Sequence, residues 1–360
     1  MASPPHPVST RALGVLATGG ALLLSVACAP SDDPDEAGAA PSDIAAAERE
    51  VSFESGPDTL YGTFAVPDGA EGSIPAALII SGSGPTDRNG NSDARPDADT
   101  NANFARVLAD AGVASLRYDK LGSGETGTAS REEDDPVGYG VFEDEMAAAY
   151  AELLAQPEVD PSRLLVLGHS EGSLFALRAP RVVADHPPKA LILAAPVGDR
   201  YLDILDRQLT EQVRTGESAG ALDAERATAL LSDTRYAISR IRADEPVPED
   251  LAPELAPLFG PSTEPFLREI DAMDPVRLAE ELPARVSTLV LWGTADSQVV
   301  DEEVDRLMTG LDDGSRVDLP DADHVFRIHD DSPGAPVLDA DRPFSPDAAP
   351  AVTDFLDRAL

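Results

Sequence analysis

The strongest chemical signal in the sequence is the segment Gly168-His169-Ser170-Glu171-Gly172. It lies between an apolar run that ends at Leu167 and a stretch with helical spacing. A G-x-S-x-G segment at a strand–helix junction forms a sharp turn that exposes the serine hydroxyl. The amide of Glu171 then faces the position where an oxyanion develops. The pattern predicts Ser170 as a nucleophile; the alternative is a Gly-rich turn without chemistry.

A serine hydroxyl is a weak nucleophile, so it needs a base that is itself oriented by an acid. On sheets of this kind the three residues follow the chain order Ser, Asp, His. Asp296 comes shortly after the apolar run 288–292. A carboxylate there lies at the sheet edge where open α/β sheets bind ligands. We predict Asp296 as the acid; Asp199 is the competing candidate, and a turn or cap role is the alternative for Asp296.

One of the five histidines has the right position for the base. His324 follows the last predicted strand, in a loop that can reach back over the nucleophile. The fallback is His329, five residues further on. The other three are predicted to be structural or outside the site: His169, whose ring should point away from the Ser170 hydroxyl, His186 and His6.

Short apolar runs alternate along the chain with stretches that have helical spacing. The predicted strands are residues 50–53, 59–66, 76–80, 114–118, 163–167, 190–194, 288–292 and 317–319. The predicted helices are residues 103–111, 141–155, 172–184 and 348–360. Such alternation is typical of a parallel sheet covered on both faces. We therefore predict an α/β fold, with a mostly parallel sheet flanked by helices, over residues 48–198 and 284–360; the first two strands form a hairpin around Ser55-Gly56-Pro57-Asp58.

Residues 199–283 interrupt the alternation. Two helical stretches, about 201–215 and 222–242, are followed by a Pro-rich passage at 246–265. An insertion between two sheet strands is expected to lie above the sheet edge as a lid. Leu202, Leu205, Leu209 and Val213 have helical spacing, which favours a folded helical cap over a disordered insertion.

The N-terminal segment is typical of export. Residues 12–27 carry no charge and follow Arg11, which predicts a signal peptide over residues 1–28. The segment Leu24-Ser25-Val26-Ala27-Cys28 resembles a bacterial lipoprotein processing site, with lipid attached to Cys28. The alternative is ordinary cleavage at the small-x-small pattern Ala27-Cys28-Ala29. Residues 29–47 lack apolar periodicity and predict a disordered tether.

The composition limits the partners of the chain. With 27 basic and 66 acidic residues, the formal net charge is −39, which disfavours binding to nucleic acid. This acidity fits either salt adaptation or a compositional bias of the lineage. A single cysteine, Cys28, excludes an intrachain disulfide. Contact with a membrane is predicted only through the lipid anchor.

Three stretches, together with the turn 168–172 around Ser170 (the nucleophile turn), resemble the α/β-hydrolase superfamily. More narrowly, they resemble bacterial hydrolases of the serine-aminopeptidase-like branch, many of which are carboxylesterases. The stretches are Ser81-Gly82-Ser83-Gly84-Pro85-Thr86-Asp87-Arg88-Asn89-Gly90-Asn91, Leu116-Arg117-Tyr118-Asp119-Lys120 with Gly122 and Gly124, and residues 293–299 with Asp296 and Gln298. Relatives often begin the first stretch with His-Gly rather than Ser81-Gly82, and they usually carry Arg where this chain has Leu121.

The resemblance implies that the loop after Ile80 supplies a second oxyanion amide, that of Ser83. It implies a structural rather than catalytic role for Arg117, Asp119 and Lys120. The expected activity is that of an exported carboxylesterase acting on a small-molecule ester, without a metal or organic cofactor. The alternatives are a serine aminopeptidase, a thioesterase, or a non-catalytic surface binding protein that retains the fold.

Overall fold

A computed structural model describes residues 46–131, 135–248 and 250–360 of the chain. The predicted signal peptide, Cys28 and almost all of the predicted tether lie outside these residues. The first described strand begins at Ala46, so it includes the last two residues of the predicted tether. Pairing of Ala46 and Ala47 with the next strand explains this difference, because backbone hydrogen bonds extend a strand whatever its side-chain pattern.

The described residues form one sheet of eight strands in the order β1-β2-β4-β3-β5-β6-β7-β8. β1 pairs antiparallel with β2, and β2 pairs antiparallel with β4, whereas the remaining neighbours are parallel. The mostly parallel sheet predicted from the sequence is confirmed. The strands are β1 (Ala46–Ser55), β2 (Asp58–Pro67), β3 (Ile74–Ile80), β4 (Ala114–Tyr118), β5 (Val159–His169), β6 (Ala190–Ala194), β7 (Ser287–Gly293) and β8 (Gly314–Leu319).

Helices follow most of the parallel strands. Those that flank the sheet are α1 (Thr100–Asp110), α2 (Tyr139–Ala155), α3 (Gly172–Val182), α9 (Asp301–Met308) and α10 (Ala348–Ala359). Between β6 and β7 lie α4 (Tyr201–Ser218), α5 (Ala224–Arg242), α6 (Ala256–Phe259), α7 (Glu264–Asp271) and α8 (Pro275–Glu280). No helix within the described ranges is both long and apolar enough to cross a membrane.

Alternate residues of each central strand enter different cores, as the pleat requires. In β3, Leu78 and Ile80 pack into a core shared with α2 and α3. Ala77 and Ile79 face the opposite core, which contains residues of α1 and α10. Both faces of the sheet are therefore covered, and this explains why the central strands β3 and β6 are apolar without interruption.

The side on which the chain adds new strands to the sheet changes at β3. β3 pairs with β4 on one side and with β5 on the other, and the chain then continues outward from β5 through β6, β7 and β8. In open α/β sheets the crevice outside the carboxyl ends of two such strands is the preferred site for ligands. The segments at this crevice are 81–84, after β3, and the nucleophile turn, after β5.

The insertion after β6 is helical, as its apolar spacing predicts. Leu202, Leu205, Leu209 and Val213 of α4 are all buried. Arg207 on the same helix donates a hydrogen bond of 2.6 Å to the carbonyl oxygen of Gln298, two residues beyond Asp296. α4 thus lies near the carboxyl edge of the sheet, which fits the expectation of a cap; the boundaries 199–283 remain a prediction.

A buried carboxyl group lies beneath this edge of the sheet. Glu145 of α2 is inaccessible to solvent, and its two oxygens accept the Leu121 amide at 3.3 Å each. Burial raises the pKa of Glu145 to about 8, which outweighs the opposing effects of the Leu121 hydrogen bond and of Lys120. The folded protein therefore retains a proton on Glu145 at pH values where the unfolded chain releases it.

Glu145→Gln should make the protein more stable than the wild type at alkaline pH. Because the folded pKa of Glu145 is raised, its contribution to stability falls as pH increases from the unfolded value of about 4.3 through 8. Glutamine keeps the oxygen acceptor for Leu121 and does not titrate. We expect a stability gain of about 2–4 kcal/mol at pH 9, and little gain at pH 5, in denaturant unfolding of both proteins.

The matched control is Asp144→Asn, which removes an exposed carboxylate from the adjacent position of the same helix. Its stability difference from the wild type should change far less between pH 5 and pH 9. A Glu145→Gln difference that stays constant over this range would contradict the burial argument.

Candidate active site

The predicted nucleophile lies in a strained turn between β5 and α3. Ser170 has φ +54°, a left-handed conformation that non-glycine residues rarely adopt. Its amide donates to the carbonyl oxygen of Ala194 at 2.8 Å, and its carbonyl oxygen accepts the Ser173 amide at 2.9 Å. These two bonds hold the turn in place at the carboxyl edge of the sheet.

Two glycines make this turn sterically possible. A Cβ on Gly168 would lie 2.2 Å from the carbonyl oxygen of Gly172, and a Cβ on Gly172 would lie 2.4 Å from that of Ile80. Both obstacles are backbone atoms, which cannot rotate away as a side chain can. The spacing G-x-S-x-G therefore reflects contact between the turn, α3 and the end of β3.

The structure brings Ser170, His324 and Asp296 together. The Ser170 Oγ lies 3.1 Å from the Nε2 of His324, and the Nδ1 of His324 lies 2.8 Å from an Oδ2 of Asp296. The Asp296 side chain is fully buried. When the Asp296 carboxylate accepts a hydrogen bond from Nδ1–H, the Nε2 lone pair is directed at the serine hydroxyl. This geometry suits proton transfer from the hydroxyl to the imidazole.

The second oxygen of Asp296 is held by the backbone of its own loop. Asp296 Oδ1 accepts the amides of Gln298 at 2.7 Å and Val299 at 3.0 Å. The indole nitrogen of Trp292 donates to the Val299 carbonyl oxygen at 2.9 Å. The carboxylate therefore presents a single orientation to the imidazole.

The competing candidates lie in other environments. Asp199 forms an ion pair of 3.1 Å with Arg306. The half-exposed His329 contacts Asp331 at 2.9 Å. His186 is exposed, and His6 lies outside the described residues. In the described part of the chain, none of these groups has a hydrogen bond to Ser170.

The loop that carries His324 is anchored through its neighbour Asp323. One oxygen of Asp323 accepts the amides of Val325 and Arg327 at 3.0 Å each. The other accepts Arg95 at 2.9 Å and Arg342 at 2.7 Å. Although burial opposes it, the pairing with Arg95 and Arg342 keeps the pKa of Asp323 below its ordinary value. Sequence reasoning missed this anchor, because its arginines are distant along the chain.

His169 also supports the His324 loop. Its Nε2 lies 2.9 Å from the carbonyl oxygen of His324 and donates to it. Burial, followed by the nearby His324, lowers the pKa of His169 to about 3, so the ring stays neutral. The prediction that His169 points away from the Ser170 hydroxyl did not anticipate this contact, which no sequence pattern indicates.

The loop after β3 lies directly against the nucleophile. A Cβ on Gly82 would be 3.2 Å from the Cβ of Ser170. Neither the Ser83 amide nor the Glu171 amide donates a hydrogen bond to another described residue. Both amides are therefore free to bind an oxygen of a ligand. The described residues contain no group of three or more His, Cys, Asp or Glu side chains placed to hold a metal ion.

The comparison with protein families agrees with the fold. A model of the alpha/beta hydrolase family matches residues 77–340. The chain therefore belongs to the alpha/beta hydrolase family, as the resemblance in its sequence predicts. Comparison with curated proteins gives no match.

Solved structures of similar fold include several hydrolases. Est1E from Butyrivibrio proteoclasticus with bound ferulic acid is 17% identical, has a TM-score of 0.51, and aligns over 85% of this chain and 96% of its own. The 2,6-dihydroxy-pseudo-oxynicotine hydrolase is 16% identical, with a TM-score of 0.50 and coverage of 88% and 68%. DcsB in complex with its substrate analogue is 15% identical, with a TM-score of 0.54 and coverage of 87% and 99%. At these identities the likeness shows the fold alone.

Gly172→Ala should destabilise the protein strongly. The added methyl group meets the Ile80 carbonyl oxygen at 2.4 Å, so the turn or the end of β3 must move. We expect a loss of about 3 kcal/mol or more, which is at the upper end for overpacked sites. The control is Gly140→Ala in α2, where a Cβ meets nothing within 4 Å. This second change should be neutral or stabilising by up to about 1 kcal/mol; equal effects of the two changes on thermal unfolding would contradict the crowding argument.

Proposed function

We propose that this chain is an exported serine hydrolase that cleaves acyl esters through an acyl-serine intermediate. The observation that supports it best is the continuous contact from Asp296 through His324 to the Ser170 hydroxyl. A strained serine beside an imidazole, which is itself oriented by a buried carboxylate, is the arrangement that turns an alcohol into a nucleophile.

In the proposed reaction, His324 Nε2 removes the proton of Ser170 as Oγ attacks the carbonyl carbon of the substrate. The amides of Glu171 and Ser83 stabilise the negative charge on the carbonyl oxygen. The tetrahedral intermediate collapses, the bond to the leaving alcohol breaks, and His324 returns the proton to that oxygen. A water molecule, deprotonated by His324, then attacks the acyl carbon. The bond from this carbon to Ser170 Oγ breaks, His324 returns the proton to Oγ, and the acid is released. These steps need no metal or organic cofactor.

An ester is the proposed substrate because an alkoxide leaves more easily than an amine. The resemblance to the serine-aminopeptidase-like branch makes an N-terminal peptide bond the second candidate, and a thioester is the third. A protein that retains the fold but only binds ligands is the candidate from another class. The strained conformation of Ser170 favours an enzyme, because such strain clusters at sites with chemistry.

A fluorophosphonate probe should label the wild-type protein and fail to label Ser170→Ala. Loss of the nucleophile in a comparable site lowers kcat by about 10⁶, so ester hydrolysis should fall to background as well. The matched control is Ser173→Ala, which removes a buried hydroxyl three residues further along; within the described ranges this hydroxyl accepts only the Val197 amide. This control should keep its labelling.

Labelling that persists in Ser170→Ala would contradict the proposal. Absence of labelling from the wild type would also contradict it, and would favour the non-catalytic binding protein. Once labelling is established, a panel of acyl esters, acyl thioesters and aminoacyl amides with matched acyl groups separates the three enzymes. The proposal requires the highest kcat/KM for the oxygen esters.

We also propose that the chain is exported as a lipoprotein anchored at Cys28. This rests on the apolar segment that ends at this single cysteine. When expressed in a bacterial host, the protein should partition with membranes and incorporate a labelled fatty acid. Cys28→Ser should abolish both, since no other thiol is present. Ordinary cleavage predicts instead a protein free of lipid whose mature N-terminus lies near Ala29.

A further inference from the structure

Lys120 occupies a buried position between the two segments that flank Ser170. It follows β4, and its side chain is only 5% exposed. Its Nζ donates a hydrogen bond of 2.7 Å to the carbonyl oxygen of Gly82. The same ammonium lies 3.7 Å from Oε1 of Glu171, whose side chain is 4% exposed. Few lysines are so completely withdrawn from water, and those that are need a partner.

These contacts connect the two residues proposed to bind the oxyanion. Gly82 precedes Ser83, so a bond to its carbonyl oxygen fixes the peptide plane that carries the Ser83 amide. Glu171 carries the other amide, and its side chain is held by the same ammonium. Lys120 thus joins two loops that come from different strands, β3 and β5.

The segment that carries Lys120 is itself rigid. The carboxylate of the preceding residue, Asp119, accepts the amides of Arg88 at 2.6 Å and Glu125 at 2.9 Å. The amide of the following residue, Leu121, is held by Glu145. A side chain projecting from a backbone fixed on both sides can define the position of the groups it contacts.

Tyr201, the first residue of α4, closes the other side of this cluster. Its buried hydroxyl faces the side chains of Glu171 and Ser83. Burial, strengthened by the Glu171 carboxylate, raises the pKa of Tyr201 well above its ordinary value, so the hydroxyl remains protonated. The start of the cap is thereby packed against both proposed oxyanion residues.

Burial of an ammonium and a carboxylate is costly even when they are paired, and an apolar side chain of similar volume often stabilises a protein more. Stability therefore does not explain why the charged pair of Lys120 and Glu171 is buried here. From the geometry we infer that Lys120 is a positioning residue, which holds the Ser83 and Glu171 amides at the separation that binds the oxyanion. This inference rests on the function proposed above and adds a residue to its machinery.

The test is Lys120→Met, which keeps the length of the side chain and removes the donor. Removal of one oxyanion donor costs about 10²–10³ in rate, so misplacement of both amides should lower kcat by about 10- to 100-fold. KM should stay within about threefold, because the amides act mainly on the transition state. The inhibition constant of a trifluoromethyl ketone, which forms a tetrahedral adduct with the serine, should rise by the same factor as kcat/KM falls.

A purely structural role for Lys120 would not produce this pattern. It would lower the unfolding temperature and leave kcat and the ketone affinity of the folded enzyme within about twofold, which would overturn the inference. If the methionine variant does not fold, Lys120→Gln gives the same comparison. Its amide is too short to reach both partners, and it is easier to bury than a charge.

The charge control is Lys189→Met, which removes the other lysine of the chain at an exposed position and should leave kcat unchanged. The two proposals fail in different ways. If the wild type shows no Ser170-dependent labelling, the proposed function is wrong. If the wild type is labelled and Lys120→Met reacts at the same rate, only the inference about Lys120 is wrong.

Discussion

The close backbone approach between the nucleophile turn and the end of β3 is the constraint on which the site depends. Gly172 lies against the carbonyl oxygen of Ile80, and Gly82 lies against Ser170. The two loops at the centre of the sheet can come this close because neither glycine has a side chain. As a result, the segments that carry Ser83, Ser170 and Glu171 meet at the crevice beside β3 and β5.

Around this point, charged groups with little access to water hold the surrounding loops. Asp323 is bound by Arg95 and Arg342, which fixes the segment that carries His324. Lys120 lies between Gly82 and Glu171, and Glu145 binds the amide after Lys120. Buried polar groups of this kind are costly unless they are satisfied, so each of them restricts the loops to one arrangement. A site assembled from loops gains its rigidity in this way.

The cap is connected to the same site at two places. Tyr201 begins α4 beside Glu171, and Arg207, less than two turns later, contacts the carbonyl oxygen of Gln298 and the carboxylate of Glu303. Burial raises the pKa of Glu303 to about 7, against the opposing effect of Arg207. α4 therefore contacts both the turn that carries Ser170 and the loop after β7 that carries Asp296. A movement of this helix would displace both segments.

The sequence alone determined the fold class, the alternation of strands and helices, and the three residues that meet at the edge of the sheet. These depend on local signals: apolar runs, the G-x-S-x-G turn, and the order in which polar residues follow strands. The tertiary structure decided which groups hold that site in place. Lys120 binds a carbonyl oxygen 38 residues away, His169 one 155 residues away, and Arg95 a carboxylate 228 residues away. Which of these groups meet depends on the order of the strands in the sheet. The sequence around a backbone carbonyl does not indicate which distant side chain will bind it.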